Sequence, residues 1–257
     1  MPKILSIETS TKGCSAAVHQ NGKLLSNSEL SNEKSSSGML TTLIEHVVKT
    51  ASLTFEDLDA IAVAKGPGSY TGLRIGVSTA KGLCFTLEKP LIAVNTLDAM
   101  ACSIYDLRAV RRSHTNDESM LAIENVSTVK HQSPITTLLC PMLDARRMEI
   151  YCAIYQSDTM EVFEPTQAKV IDETSFLDIL QYNKIIFFGD GAEKCKAILN
   201  KNSNAVFLQE VINPSAKSIG VLAARAFKNN VFENVADFEP YYLKEFMTTT
   251  PKKIKFD

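Results

Sequence analysis

The sequence predicts a mixed α/β fold built from two halves that share one order of secondary-structure elements. Short apolar runs bounded by turn-forming residues indicate strands, and longer stretches with apolar residues three or four positions apart indicate amphipathic helices. The same succession occurs twice, at a spacing of roughly 135 residues, which is typical of an internal duplication. At about 150 residues per domain, a chain of 257 residues favours one large domain or two small ones.

The first half begins with three predicted strands. Residues 3–8 form a short apolar run, and the Asn21-Gly22 dipeptide predicts a two-residue hairpin turn between strands at 14–20 and 23–29. From Met39 to residue 51 the apolar residues recur at helical spacing. The remaining predicted elements of this half are a strand at 60–65, a helix at 73–87, a strand at 91–95 and a helix at 97–105.

The second half repeats the order β-β-β-α-β-α-β-α. Its predicted strands cover residues 136–144, 149–155, 161–171, 184–190 and 205–211, and its predicted helices cover 173–181, 193–199 and 215–228. Two such halves, each with a mixed sheet, are the layout of the ribonuclease H-like, actin and sugar-kinase superfamily (ASKHA). We therefore expect an N-terminal actin-like lobe at residues 1–105, an insertion or linker at 106–134, and a C-terminal actin-like lobe at 135–257 with a terminal helix and a basic tail.

The charge balance excludes several classes of protein. With 27 Lys and Arg against 29 Asp and Glu, the net charge of -2 lacks the electrostatic signature of a dedicated nucleic-acid-binding or membrane-surface protein. Glu8 interrupts the first apolar run, so we expect neither a signal peptide nor a spanning helix there, and a cytoplasmic location. The six cysteines are never three positions apart, which excludes a CxxC redox or zinc motif.

The most informative segment covers residues 65–82, with the sequence KGPGSYTGLRIGVSTAKG. It matches neither a P-loop, nor a dinucleotide-binding fingerprint, nor the nucleophile elbow of esterases. In the predicted helix, Gly72, Gly76 and Ala80 recur every four residues, so one helix face has almost no side-chain bulk. Such a face indicates close packing, either against another helix of the same domain or against a protein partner, and the spacing leaves both possibilities open.

Residues 66–76, GPGSYTGLRIG, resemble the hallmark motif GPGSFTGLRIG of the TsaB family of bacterial tRNA threonylcarbamoyladenosine biosynthesis proteins, with Tyr70 in place of Phe. The similarity covers most of the chain apart from the insertion and the tail. The resemblance implies a non-catalytic paralogue of TsaD, the subunit that transfers a threonylcarbamoyl group to the adenosine next to the anticodon. It also implies pairing with TsaD, recruitment of the ATPase TsaE through the TsaB–TsaD complex, a homodimer when the partner is absent, indirect contact with tRNA, and no membrane association.

The resemblance also allows the catalytic residues of TsaD to be checked. After its fifth strand TsaD carries an Asn-His dipeptide and a second His four residues on, which bind the catalytic metal. The corresponding positions here are Thr96 and Met100, which cannot form that site. The four histidines of the chain are never four positions apart, which excludes the HExxH motif despite the family's older glycoprotease label. We therefore expect no catalytic residue and no metal ligand.

The expected partner interface combines the helix that follows the glycine-rich turn with the helix at 39–51. The small face of the first of these helices would allow its backbone to approach that of the partner closely. The larger apolar residues would be buried against the partner. Replacing Gly76 by Leu or Ala80 by Arg is expected to break the pairing and leave the fold intact. The interface residues that the resemblance implies are Leu43, Val47, Gly68, Tyr70, Gly72, Leu73, Arg74, Gly76, Val77, Ala80, Leu83 and Leu87.

A nucleotide site is a further expectation, at the cleft between the lobes. In actin-like kinases the first strand ends in an acidic residue, followed by a Gly-Thr turn whose backbone amides hold phosphate. Here the turn reads ETSTKG from Glu8, so either it is vestigial or it binds ATP or ADP weakly, at the cleft or at the complex interface, with no cofactor required. The candidate residues are Thr9, Ser10, Thr11, Lys12, Asp144, Asp190 and Gly191.

Two other functions remain open. One is an actin-like ATPase or kinase in which Glu8 and Asp144 surround a metal-bound nucleotide, and it predicts ATP turnover by the purified chain. The other is direct RNA binding through Arg108, Arg111 and Arg112 in the insertion and through the lysines of the tail. It predicts binding that weakens steeply as the salt concentration rises.

Overall fold

The computed structural model describes residues 1–30, 36–112 and 135–244. Within these residues it contains ten strands and six helices. The strands are β1 Lys3–Glu8, β2 Cys14–Gln20, β3 Lys23–Leu30, β4 Ala60–Gly66, β5 Leu91–Asn95, β6 Thr136–Asp144, β7 Glu149–Gln156, β8 Val162–Val170, β9 Asn183–Phe188 and β10 Ala205–Phe207. The helices are α1 Ser36–Thr50, α2 Tyr70–Leu87, α3 Thr96–Arg112, α4 Leu177–Leu180, α5 Ala192–Leu199 and α6 Ala216–Lys228.

The strands form two five-stranded sheets of the same topology. The first sheet has the order β3-β2-β1-β4-β5, and the second has the order β8-β7-β6-β9-β10. In each sheet the first three strands are antiparallel neighbours, and the last two are parallel to the central strand. Asn21 and Gly22, between β2 and β3, have φ angles of 52° and 80°, as the expected hairpin turn requires. The duplicated actin-like fold predicted from the sequence is confirmed.

Two elements of the second half are much shorter than predicted, whereas the other bounds in that half lie within two residues of the predicted ones. The helix expected at 173–181 is reduced to Leu177–Leu180, because the Asp172 carboxylate accepts hydrogen bonds from the amide and the hydroxyl of Thr174 and holds the preceding residues in a turn. The strand expected at 205–211 ends at Phe207. Both differences leave the order of elements unchanged.

Helix α3 is longer than predicted. It ends at Arg112 and so continues into the region assigned to the insertion. The rest of the insertion, the side chains of the three arginines considered for RNA binding, and the basic tail lie outside the described residues. Among the helices that the structure describes, none combines the length and the apolar character needed to cross a bilayer.

Helices α1 and α2 cover one face of the first sheet. Alternation along β1 directs Leu5 and Ile7 to this face and Ile4 to the opposite face. The apolar stripes of both helices share a buried core with Leu5 and Ile7. The other sides of α1 and α2 therefore remain at the surface of the lobe.

The last helix of each half packs on the sheet of the other half, and α3 also packs on the sheet of its own half through Ala99. Helix α6 comes from the second half of the sequence, but its Ile219 and Ala223 share a core with Ile4 of the first sheet. Helix α3 closes the first half, but its Met100 shares a core with Leu139 of the second sheet. The predicted division assigned the terminal helix to the C-terminal lobe, whereas the structure packs it on the sheet of the N-terminal lobe.

Candidate functional site

The glycine-rich turn of the motif folds around the end of β1. Ser69 caps α2, because its hydroxyl accepts a hydrogen bond from the Gly72 amide at 3.3 Å. The Ser69 amide donates to the Ser10 carbonyl at 2.6 Å. A Cβ atom at Gly68 would overlap with that same carbonyl oxygen, so only glycine fits there. The motif therefore fixes the position of α2 relative to the first strand.

Gly72 and Gly76, on the small face of α2, pack against the turn after β1. A Cβ atom at Gly72 would overlap with the Thr9 carbonyl oxygen, and one at Gly76 would overlap with the Thr9 hydroxyl. The Thr9 hydroxyl donates a hydrogen bond to the Gly72 carbonyl at 2.7 Å. Ala80, one helical turn further on, is fully buried. The close neighbour that the spacing indicated therefore belongs to the same chain.

Many of the residues expected at a partner interface lie inside the lobe. A Gly76→Leu or Ala80→Arg substitution would place bulk or charge in the core, so such a variant is not expected to stay folded, contrary to the sequence-based expectation. The buried residues pack in the core beneath α1 and α2 and so hold these helices in place. The buried ones are Leu43, Val47, Leu73, Gly76, Val77 and Ala80, the half-buried ones are Gly68, Tyr70, Gly72, Leu83 and Leu87, and the exposed one is Arg74.

The outward side of α2 carries a second stripe of residues. Arg74, Ser78, Gly82 and Phe85 recur every three or four positions, and all four are exposed. Phe85 is 83% exposed, and a Cβ atom at Gly82 would meet no other atom within 4 Å. Together with the exposed Met39 of α1, these residues define the outer α1–α2 face. Sequence reasoning missed Ser78, Gly82 and Phe85, although their spacing is a helical stripe beside the small face.

The chain returns to α2 after α6, in residues 233–244, which we call the C-terminal strap. The Lys81 ammonium of α2 donates hydrogen bonds to the strap carbonyls of Ala236 and Phe238, each at 3.0 Å. The Tyr241 amide donates to the Lys65 carbonyl of β4 at 2.7 Å. The strap is therefore bonded both to the outer helix and to the sheet beneath it.

In the turn expected to bind phosphate, the carboxylate of Glu8 takes the place of a ligand. Glu8 is buried, and one of its carboxylate oxygens accepts a hydrogen bond from the Ser10 amide. Burial raises the pKa of Glu8 to about 7, against the hydrogen bonds from Ser10 and Thr9 that lower it. A phosphate-binding turn directs such amides at its ligand, and here the Ser10 amide is directed at Glu8. Of the other candidates in this turn, Thr11 is half-buried and Lys12 is exposed.

The candidate residues of the second lobe stabilise the connection between β6 and β7. The Asp190 carboxylate accepts a hydrogen bond from the Asp144 amide at 3.0 Å, and the Asp144 carboxylate accepts one from the Arg146 amide at 2.7 Å and pairs with Lys194. Burial raises the pKa of Asp190. Partial burial acts in the same direction on Asp144, but the hydrogen bonds from Lys194 and the Arg146 amide, together with the positive charges of Lys194 and Lys12, outweigh it and lower the pKa of Asp144. A Cβ atom at Gly191 would lie 2.8 Å from the backbone of β6.

Thr96 and Met100, at the positions where metal-binding histidines are expected in TsaD, are buried. Thr96 is fully buried, and Met100 belongs to the core against the second sheet. Between them, Asp98 accepts a hydrogen bond from the Tyr155 hydroxyl at 2.5 Å, and burial raises the pKa of Asp98. Within the described parts of the chain, no group of three or more His, Cys, Asp or Glu side chains is arranged to hold a metal ion.

Comparison with known proteins shows similarity along nearly the whole chain. The tRNA threonylcarbamoyladenosine biosynthesis protein TsaB of Escherichia coli is 28% identical over 246 residues, which cover 94% of each chain. The TsaB protein of Haemophilus influenzae is 25% identical over 253 residues, which cover 95% of this chain and 94% of that protein. The chain is therefore similar to TsaB proteins over nearly its whole length.

The first lobe also resembles TsaD. A family model described as TsaD, tRNA N6-adenosine threonylcarbamoyltransferase, matches residues 23–110. The tRNA N6-adenosine threonylcarbamoyltransferase of Staphylococcus carnosus is 39% identical over 108 residues, which cover 36% of this chain and 32% of that protein. The solved structure of YeaZ from Pseudomonas aeruginosa shares the fold, with a TM-score of 0.73 at 21% identity over 95% of this chain and 100% of that one.

Proposed function

We propose that the chain is a non-catalytic scaffold subunit of the complex that modifies tRNA to threonylcarbamoyladenosine, at the adenosine next to the anticodon. One observation carries the proposal. Residues 23–110 match the model of the transferase TsaD, but the buried Thr96 and Met100 occupy the positions where the metal-binding histidines of that enzyme are expected. A TsaD-like lobe without these ligands is suited to bind and support the active subunit rather than to perform the transfer.

The outer α1–α2 face is the proposed surface for TsaD. Phe85 offers an aromatic ring that is 83% exposed, and aromatic side chains supply much of the binding energy at protein interfaces. Ser78 and Gly82 leave the helix backbone accessible beside this ring, so a partner helix can approach closely. The same face would form a homodimer when TsaD is absent, through symmetric contact of identical helices. The TsaB–TsaD pair would then recruit the ATPase TsaE.

Replacing Phe85 by Asp tests this surface. The charge is expected to abolish co-purification with TsaD, whereas the far-UV circular dichroism spectrum and the melting temperature stay unchanged, because the ring is not part of the core. Phe163→Asp is the matched control, since Phe163 lies on β8 of the other lobe and is 45% exposed. Wild-type affinity of the Phe85→Asp variant for TsaD would refute the surface. Reconstituted tRNA modification that proceeds equally well without the chain would refute the scaffold role.

The proposed role places the chain in the cytoplasm with TsaD and requires neither a bound cofactor nor direct contact with tRNA. The net charge of -2 suits a subunit that holds the enzyme rather than the RNA. Weak binding of ATP or ADP at the complex interface remains compatible with this role. An actin-like ATPase has less support, because the Glu8 carboxylate takes the Ser10 amide. Release of phosphate from ATP and magnesium by the purified chain would favour that alternative.

A further inference from the structure

Tyr70, Arg74 and Tyr242 form a cluster near the N-terminal end of α2, which we call the Arg74 clamp. The central carbon of the Arg74 guanidinium lies 4.3 Å from the centroid of the Tyr70 ring, in a cation–π contact. The Nε–H group of Arg74 donates a hydrogen bond to the Tyr242 hydroxyl at 3.2 Å. The centroids of the two tyrosine rings are 4.8 Å apart. The guanidinium is therefore held on one face and along one edge.

The C-terminal strap fixes the clamp to both lobes. Tyr242 follows Tyr241, whose amide donates to the Lys65 carbonyl at 2.7 Å. Two residues beyond Tyr242, Lys244 pairs with Glu149 of β7 in the second lobe. The residues before and after Tyr242 are therefore both held by contacts with other elements of the fold. An arginine restrained by such a partner loses less conformational entropy on binding than a mobile surface arginine.

The hydrogen bond within the clamp does not use the two amino groups of Arg74. Arg74 is exposed, and its hydrogen bond to Tyr242 uses only Nε. A guanidinium binds a carboxylate through two parallel hydrogen bonds, which are stronger and more directional than those of a neutral donor. We propose that the Arg74 clamp is a preorganised receptor for a carboxylate side chain of the protein that docks on the outer α1–α2 face. The identity of that protein as TsaD rests on the proposed function.

A protein carboxylate suits this position better than the phosphate of an RNA backbone. Arg74 lies on the same helix stripe as Ser78 and Phe85, so its ligand belongs to whatever covers that face. The Glu239 carboxylate is close enough to act electrostatically on Arg74, and the whole chain carries a net charge of -2. A polyanion therefore gains little from this surface, because affinity for nucleic acid depends on many cationic contacts.

Titration calorimetry of the chain with TsaD at two salt concentrations tests the receptor. Arg74→Met removes the charge and the donors, and the Kd at low salt is expected to rise about tenfold while its dependence on salt decreases. Arg74→Lys keeps the charge without the planar donors and is expected to give an intermediate Kd. Tyr242→Phe removes only the hydroxyl that holds Nε, and an increase in Kd of about threefold is expected. Arg225→Met is the matched control, since Arg225 is exposed on α6.

The outcomes separate this inference from the function on which it rests. Wild-type affinity and wild-type salt dependence in Arg74→Met would overturn the carboxylate receptor and leave docking of TsaD standing. If the wild-type chain does not bind TsaD, the proposed function fails first and the inference fails with it. If Arg74→Met lowers tRNA binding by the free chain and leaves TsaD binding unchanged, the occupant is RNA and the inference is likewise overturned.

Discussion

His19 and Gly220 show how closely the last helix approaches the first sheet. His19 on β2 is 1% exposed, and a Cβ atom at Gly220 of α6 would overlap with its imidazole ring. Burial lowers the pKa of His19 to about 4, although a hydrogen bond with the Lys217 backbone opposes this shift. As the pH falls from 6.5 towards 4, the unfolded chain takes up a proton that the folded chain does not, and stability is lost.

Gly220→Ala is expected to lower the free energy of unfolding by about 1 to 3 kcal/mol, the usual cost of overpacking, because the added Cβ atom would overlap with the buried His19 ring. Gly82→Ala on α2 is the matched control. A Cβ atom at Gly82 meets nothing within 4 Å, and Ala favours a helix over Gly by about 0.5 to 1 kcal/mol, so this variant should be more stable than the wild type. Urea unfolding measures both, and equal effects would contradict the close contact.

Glu8 makes stability depend on pH in the physiological range. Its pKa is about 7 in the folded chain against an ordinary value of 4.5, so the folded state holds the proton more tightly. The resulting stability is fully present below pH 4.5 and is lost as the pH rises to 7. Glu8→Gln should match the wild type at pH 4 and exceed its free energy of unfolding at pH 8 by up to about 3 kcal/mol. The same difference at both pH values, measured by chemical denaturation, would contradict this account of Glu8.

At the scale of elements, the sequence predicts which helices and strands form more reliably than it predicts which parts of the fold each of them packs against. The Asn21-Gly22 turn and the apolar stripe of α1 are local signals, and both elements form as predicted. The spacing of Gly72, Gly76 and Ala80 correctly indicates a face that needs a close neighbour. Which neighbour fills it depends on a contact between residues 63 positions apart, and no local pattern encodes that contact.

The candidate site could be predicted only in part for the same reason. Tyr70 and Arg74 belong to the motif that carries the family resemblance, and Arg74 lies on the surface, as the proposed contact with a partner requires. The hydroxyl that holds Arg74 comes from Tyr242, 168 positions further along the chain. The occupation of the phosphate turn by Glu8 is similarly hidden, because a sequence reports the residue type and not the direction of its carboxylate.

Lys81→Met is expected to release the C-terminal strap from α2. The substitution keeps an apolar stem and removes the ammonium that bonds to the Ala236 and Phe238 carbonyls. Hydrogen exchange of the Tyr241 amide should accelerate on the order of tenfold, and the free energy of unfolding should fall by about 1 to 2 kcal/mol. Lys89→Met, just beyond the same helix, is the control and should leave the exchange rate unchanged. An unchanged rate in Lys81→Met would show that Lys81 does not hold the strap.

At the scale of the whole molecule, the two lobes are joined by their exchanged helices. Helix α3 completes the core of the second sheet, and α6 completes that of the first. Polar contacts cross the same boundary, from the Tyr155 hydroxyl to Asp98 at 2.5 Å and from the Asn95 side-chain amide to the Thr166 hydroxyl at 2.9 Å. Neither lobe therefore has a complete core without a helix from the other half of the chain.

Unfolding is expected to be a single cooperative transition in spite of the two lobes. Loss of either lobe withdraws a helix from the core of the other, so the calorimetric and van't Hoff enthalpies should agree. Tyr155→Phe leaves the half-buried Asp98 without this hydrogen bond, and a loss of about 1 to 3 kcal/mol is expected, with the transition still single. Two resolved transitions in the wild type or the variant would mean that the lobes unfold independently.

The exchange of helices also sets the order in which the chain can fold during its synthesis. The last strand of the first sheet ends at Asn95, but α6, which covers one face of that sheet, begins at Ala216. At about 5 to 20 residues per second, a ribosome takes on the order of ten seconds to make the segment between them. During that interval the face that carries Ile4 and Val94 has no cover from α6. The strands of the N-terminal lobe are made first, but the core of that lobe is complete only after the ribosome has made α6.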